Sequence, residues 1–233
     1  SVGYDKVDAP TQTRDLSGFS WNVGAIGQPG PRSSFTIAVG QRFNDLAVNG
    51  SAAYALTSNL QMLLSASHSL TSGLQQLVSD HNLVTVNPTT GELVTPQGLP
   101  VGFNSPQLDG GLALRQDLQA TLVGNYGRNT IRLSSLVVRQ EFNVNDDLST
   151  QARASITRRM TPYLSAIASG SYQFTSTALD ITTHTATGRF DLNYQLGPRA
   201  SLFGGYAYTN RQSSVATQDY AEHSATVGGR VTF

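Results

Sequence analysis

The stretch TATGRFDLNYQL, Thr185–Leu196, alternates apolar and polar residues at every step. Ala186, Gly188, Phe190, Leu192, Tyr194 and Leu196 form one set; Thr185, Thr187, Arg189, Asp191, Asn193 and Gln195 form the other. Side chains alternate across a β-strand, so this is a strand with one apolar and one polar face. Its length separates two readings. Strands of soluble proteins average about 5–6 residues, whereas a tilted strand crossing a membrane needs about 9–11.

The pattern recurs outward from that stretch. Leu164, Ala166, Ala168, Gly170, Tyr172 and Phe174 alternate with Ser165, Ser169, Ser171 and Gln173. Leu114, Leu118, Ala120, Leu122 and Tyr126 alternate with Arg115, Asp117, Gln119, Thr121 and Asn125. Leu148, Ala152, Ala154 and Ile156 form a further apolar column, as do Leu60, Met62, Leu64 and Ala66, and Leu46, Val48, Ala52 and Tyr54. Ser34–Phe43 and Thr130–Phe142 are noisier. Repeated long two-faced strands predict an all-β fold: a transmembrane antiparallel up-and-down β-barrel of about 12 strands.

Composition agrees. Only 13% of the 233 residues are charged, and 39% are hydrophobic. Lys plus Arg equals Asp plus Glu, at 15 each, which removes the electrostatic argument for nucleic acid as a partner. No stretch reaches the roughly 18 apolar residues of a membrane helix. Half-lipid, half-water strands explain low charge combined with modest hydrophobicity.

The connections are of two kinds. Gly27–Arg32, Leu56–Asn59, Gly127–Asn129, Met160–Pro162 and Leu196–Arg199 are short. They alternate with Ala9–Arg14, Thr71–Gly111, Asn143–Asp147, Ser176–Thr183 and Ser213–Tyr220, which are mostly longer; Asn44-Asp45 is the one tight turn in that set. Outer-membrane barrels have short periplasmic turns and longer extracellular loops. That rule predicts a chain in the outer membrane of a Gram-negative bacterium with its C-terminus in the periplasm. Val227, Val231 and Phe233 close the last strand in the manner of the barrel-assembly recognition signal.

Aromatic residues gather at strand ends. Tyr54, Tyr126, Tyr163 and Tyr194 fall on the predicted periplasmic side; Phe19, Trp21, Phe43, Phe142, Phe174, Tyr208 and Tyr220 fall toward the outside. Amphipathic rings favour the membrane interface, so Trp21, Tyr54, Tyr126, Tyr163, Tyr194 and Tyr208 are candidate girdle residues. The polar columns carry Arg42, Arg115, Asp117, Arg132, Arg153, Arg189, Asp191, Arg211 and Arg230. A charge facing lipid costs about 2–4 kcal/mol at the midplane, so these nine should line the lumen. Whether they border an open, mildly anion-attracting channel or pair to fill it stays open at this strand number.

The segment Thr71–Gly111 breaks the pattern. Gly73–His81 places Leu74, Leu77 and Val78 at helical spacing, and Leu93–Pro96 is suited to a hairpin extension. A constriction, a lid, a partner surface and a plain external loop all fit its length.

No phosphate loop, dinucleotide fingerprint or metal-spaced cluster appears, so no cofactor and no metal are expected. His68, His81, His184 and His223 are scattered. His68 lies between Ser67 and Ser69, but neighbouring strand residues point to opposite faces, which works against a nucleophile–base pair. No enzymatic activity is expected.

Gly18–Arg32 (GFSWNVGAIGQPGPR), with Val39-Gly40-Gln41-Arg42-Phe43 and Gly127-Arg128-Asn129-Thr130, resembles the PEP-CTERM system-associated outer-membrane barrel family. Gly18, Trp21, Pro29, Pro31, Arg32, Gly40, Arg42 and Phe43 carry the likeness, as does the run Leu74–Leu77. Members of that family tend to be longer. A single domain over residues 1–233 is therefore expected, either a whole barrel or the C-terminal part of a longer one. The resemblance implies a conduit or accessory role in exopolysaccharide export, with polysaccharide or export-complex proteins as partners. A general diffusion porin and a plugged, surface-binding barrel are the alternatives. Outer-membrane lipid, lipopolysaccharide and the barrel-assembly machinery are expected partners of any such barrel.

Overall fold

The computed structural model describes residues 1–7, 16–42, 45–72, 85–86, 93–94, 112–141, 146–177 and 180–231. Twelve strands pair in one antiparallel sheet: β1 (Val2–Val7), β2 (Leu16–Gly30), β3 (Ser33–Arg42), β4 (Asp45–Thr57), β5 (Leu60–Ser72), β8 (Leu112–Tyr126), β9 (Asn129–Glu141), β10 (Asp146–Arg159), β11 (Leu164–Ser176), β12 (Thr182–Gly197), β13 (Ala200–Ser213) and β14 (Tyr220–Val231). Each pairs with the next in that order, a pure up-and-down meander. Two short strands, β6 (Thr85–Val86) and β7 (Leu93–Val94), form a separate ladder. The hairpin expected near Leu93 is thus present, while Pro96 and the helix expected over Gly73–His81 lie outside the described residues.

Exposure is inverted relative to a soluble sheet. Phe190 is 48% exposed and its neighbour Asp191 only 5%. Among the described residues the buried apolar side chains are Ala47 and Leu114 alone. A water-soluble sandwich would hide its apolar columns between two sheets. Here they stand on the outside, as a lipid-facing wall requires.

The short turns follow from local chemistry. Gly127 has a φ of 61°, a conformation that L side chains resist, and with Arg128 it closes a two-residue hairpin of the II′ kind. Register shifts sit beside three others, at Gly27/Gly30, Ala55/Thr57 and Gln195/Gly197. A bulge lets a tight turn match the twist of its strands. At the opposite end, β13 and β14 are joined by a 3-10 turn, Ala216–Gln218, and Ser213 N–H donates to Asp219 Oδ1 at 2.6 Å.

Glycines let the wall curve. A side chain on Gly40 would strike the backbone carbonyl of Trp21 on β2. The Phe203 ring covers Gly228, its partner across β13–β14, and the Phe35 ring covers Gly27 across β2–β3. Aromatic cover of a strand glycine restores packing that the missing side chain forfeits.

Candidate functional site

The pairing register decides where each predicted residue points. Directly opposed residues share a face. Asp191 opposes Ile167 and Gly205, Arg189 opposes Ser169 and Ala207, and Arg211 opposes Thr185 and Tyr220. Arg153 opposes Ser134 and Ser171, Arg132 opposes Val123 and Ser155, and Asp117 opposes Ser67 and Val138. Followed from strand to strand, the register puts Arg42, Arg115, Asp117, Arg132, Arg153, Arg189, Asp191, Arg211 and Arg230 on one polar face. Tyr220 belongs to that face too, opposite Arg211, which corrects its expected place in the outer aromatic belt.

Two of these groups form one repeated device. Arg115 Nε lies 2.8 Å from Asp117 Oδ1, and Arg189 Nε lies 2.7 Å from Asp191 Oδ2. Both are Arg-x-Asp on a single strand, where a spacing of two places side chains on the same face. Ser67 Oγ donates to Asp117 at 3.1 Å from the next strand. Arg211 Nη2 donates to Gln218 Oε1 at 3.1 Å. Arg42, Arg132, Arg153 and Arg230 also interact with neighbours. The arginines are therefore not a bare cationic surface.

Between β2 and β9 the rolled sheet borders an open cleft of about 560 Å³. Ser34, Thr36, Ser51, Ser65, Gln119, Thr121 and Arg132 line it, with Leu63 and Val123. Ile26 of β2 and Arg132 of β9 share this cleft although four strands of the sheet lie between them. The sheet is thus rolled with its polar face inward. The lining offers hydroxyls, the side-chain amides of Gln28 and Gln119 and one guanidinium, interleaved with apolar residues and without a carboxylate. Its hydroxyls, amides and guanidinium are groups that hydrogen-bond water. It does not supply a nucleophile, base and orienter in contact.

The aromatic residues predicted for a girdle fall on or beside the opposite face. Tyr54 opposes Met62, Tyr194 opposes Leu164 and Leu202, and Tyr126 ends β8. Tyr163 is exposed in the turn before β11. At the other end, Trp21 Nε1 donates to Gln41 Oε1 at 3.3 Å across β2–β3, and Tyr208 opposes His223. From His184 to Tyr194 is ten residues of β12. That is roughly 33 Å of strand, or about 25 Å of membrane at a tilt near 40°. Val227 and Val231 stand on this outward face, strongly exposed, while Phe43, Phe142 and Phe233 lie outside the described residues.

The histidines are less scattered than their spacing implies. His184 Nδ1 is 2.6 Å from Tyr172 Oη, and His223 Nδ1 is 2.6 Å from Tyr206 Oη, both on the outward face. His68 is also on an outward column, so Ser67 and Ser69 point the other way, as expected. The signal for the tyrosine contacts was the aromatic-x-aromatic spacing of Tyr172 and Phe174, and of Tyr206 and Tyr208, which only hairpin register connects to a histidine.

An inward polar face, an outward apolar band and a twelve-strand meander have counterparts among solved structures. OmpT, an outer membrane protein of Vibrio cholerae, in a loop L8 deletion mutant, superposes with a TM-score of 0.54 at 10% identity, over 95% of this chain and 65% of that chain. The fold is that of outer-membrane β-barrels. In-vitro folded OmpT gives 0.53 at 10% identity, over 94% of this chain and 64% of that one. A trimer form gives 0.51 at 8%, over 89% and 61%. This chain thus spans less than two thirds of the length of each. No family model matches the sequence, and no curated protein does.

Proposed function

We propose that the chain forms the wall of an aqueous passage through the outer membrane, with the C-terminal end of β14 on the periplasmic side. The observation that carries this is the open cleft of about 560 Å³ on the inner side of the sheet, where Ser, Thr, Gln and Arg side chains stand among Ile26, Leu63 and Val123, behind an apolar outer wall. A plugged barrel would fill that face with side chains. The short turns mark the periplasmic end and the longer connections the external end.

The finer reading is a conduit or accessory component of exopolysaccharide export. It is supported by the likeness of Gly18–Arg32 and Val39–Phe43 to the PEP-CTERM-associated barrels, and by a lining suited to hydroxyl-rich solutes. General diffusion of small solutes is favoured instead if the lumen passes ions without preference for sugars.

Single-channel recording of the refolded chain in a planar bilayer tests the passage. Stable current steps are expected, and oligosaccharides added to one side should interrupt them. A verified folded barrel that stays silent overturns the passage. Steps indifferent to oligosaccharide overturn only the export reading.

A further inference from the structure

We propose that the rim formed by the short turns captures a polysaccharide that carries carboxylate groups, and that the inner face of β9 and β10 continues the binding track. The proposal rests on the passage reading above and gives it a substrate class and an entry side.

The rim is cationic by placement rather than by composition. Arginine is the second turn residue in Pro31-Arg32, Gly127-Arg128 and Pro198-Arg199, and Arg158 and Arg159 end β10 before another short turn. All of these arginines are exposed. Residues 24–36, 54–64, 122–133, 156–168 and 192–204, which hold the short connections and the strand ends around them, contain no Asp or Glu. The acids gather at the opposite end: among the described residues, Asp45, Glu141, Asp146, Asp180, Asp219 and Glu222 stand at or beside the long-loop connections. Basic and acidic residues are equal in number, at 15 each, so the imbalance lies along the strand direction.

Three of the rim arginines converge. Arg159 N–H donates to the Arg128 carbonyl at 2.9 Å, and Arg128 Nη1 donates to the Met160 carbonyl at 3.3 Å. Arg158 opposes Asn129, the residue after Arg128. Among the described residues, Arg32, Arg128, Arg158, Arg159 and Arg199 form no ion pair. Like charges held close repel one another, and an anion between them relieves that repulsion. The forked guanidinium suits the two oxygens of a carboxylate.

The wall behind the rim continues the same chemistry. Arg159 takes the inward register of β10, followed by Thr157, Ser155 and Arg153. On β9, Arg132 opposes Ser155 and Ser134 opposes Arg153. From Arg159 to Arg153 is roughly 20 Å of strand. Guanidinium groups and hydroxyls thus alternate from the rim into the wall, without an acid between them. A lipid headgroup or a partner's surface turn reaches the rim alone, whereas a polymer chain can touch rim and wall together. Carboxylates meet the arginines, and sugar hydroxyls meet Ser134, Ser155 and Thr157. An acidic peptide, the rival chain, has no ring hydroxyls to offer them.

Fluorescence anisotropy of a labelled galacturonate oligomer, titrated with the full chain refolded in phosphatidylcholine nanodiscs, tests this. Binding is expected to fall steeply as salt rises, and a neutral galactose oligomer of equal length should not bind. Arg128→Gln with Arg158→Gln and Arg159→Gln, checked for folding by heat-modifiable gel mobility, should weaken binding on the order of ten-fold, because exposed ion pairs are individually weak. If that variant fails to fold, Arg32→Gln with Arg199→Gln serves, with a smaller loss expected. Equal affinity of wild type and variants, or equal binding of the neutral oligomer, overturns the proposal. Tighter binding of oligoaspartate than of galacturonate also overturns it, and assigns the rim to an acidic protein partner. Planar-bilayer recording separates this proposal from the reading it rests on. Current steps without galacturonate binding overturn the proposal alone; galacturonate binding to an electrically silent barrel overturns the passage and leaves capture at the rim.

Discussion

The carboxylate of Asp191 occupies the space above Gly205. The two oppose each other across β12–β13, and a Cβ at position 205 would overlap Asp191 Oδ1. The glycine thereby seats the acid against Arg189 in the middle of the inner wall. Gly205→Ala should push the carboxylate off its partner, at a cost of about 1–3 kcal/mol. The midpoint of urea unfolding from vesicles would report it. An unchanged midpoint would mean that the carboxylate has a second seat.

The Arg189–Asp191 pair should also couple energetically. Their side chains are 16% and 7% exposed, so solvent screens them little. Either Asp191→Asn or Arg189→Gln breaks a largely buried pair by removing one of its charges, which typically costs about 3–5 kcal/mol. The double variant should cost less than the sum of the two. A double-mutant cycle that adds without a coupling term would show that the pair acts as two independent groups.

Charge tolerance should differ between the two faces of one sheet. Phe190, outward and near the middle of β12, replaced by Arg should lose about 2–4 kcal/mol. Thr157→Arg, on the inward register of β10, should change stability by less than about 1 kcal/mol. Refolding yields into vesicles, read by heat-modifiable gel mobility, would rank them. The reverse ranking would invert the assigned faces.

Phe203 should hold the last strand. Its ring lies over Gly228, which offers β14 no side chain of its own there. Phe203→Ala is expected to weaken the β13–β14 pair by about 1 kcal/mol. Faster proteolytic release of the C-terminal strand, with β11–β12 still protected, is the sign to look for. Uniform protection would assign the ring no such role.

Arg132 borders the cleft between β2 and β9. Arg132→Gln removes one positive charge from its wall. The reversal potential of the channel in a salt gradient should shift toward cations. No shift would place the ion path elsewhere in the lumen.

The meander was legible in the sequence because period two is local. Thr185–Leu196 assigns its own faces without reference to any other strand, and β12 has the expected alternation. The noisier stretches are explained by particular side chains. In β9, Leu136 and Val138 share the inward register with Arg132, where β8 offers Gln119 and Asp117 as partners. A rolled wall can bury apolar residues on its wet side. Tyr220 misled for a related reason: an aromatic at a strand end signals an interface only when it points outward, and register with Arg211 turns it inward.

By itself the sequence determined the strands, their two faces, the alternation of short and long connections and the residues of the polar columns. All of these depend on chemical character at fixed local spacing, which a strand's pleat converts directly into direction. Only the tertiary structure decided which residues meet. The overlap of Asp191 with Gly205, the cleft shared by Ile26 and Arg132, and the two Tyr–His contacts each join separate strands. Such contacts depend on register, bulges and the roll of the sheet, and these follow from the packing of the whole wall rather than from any one segment.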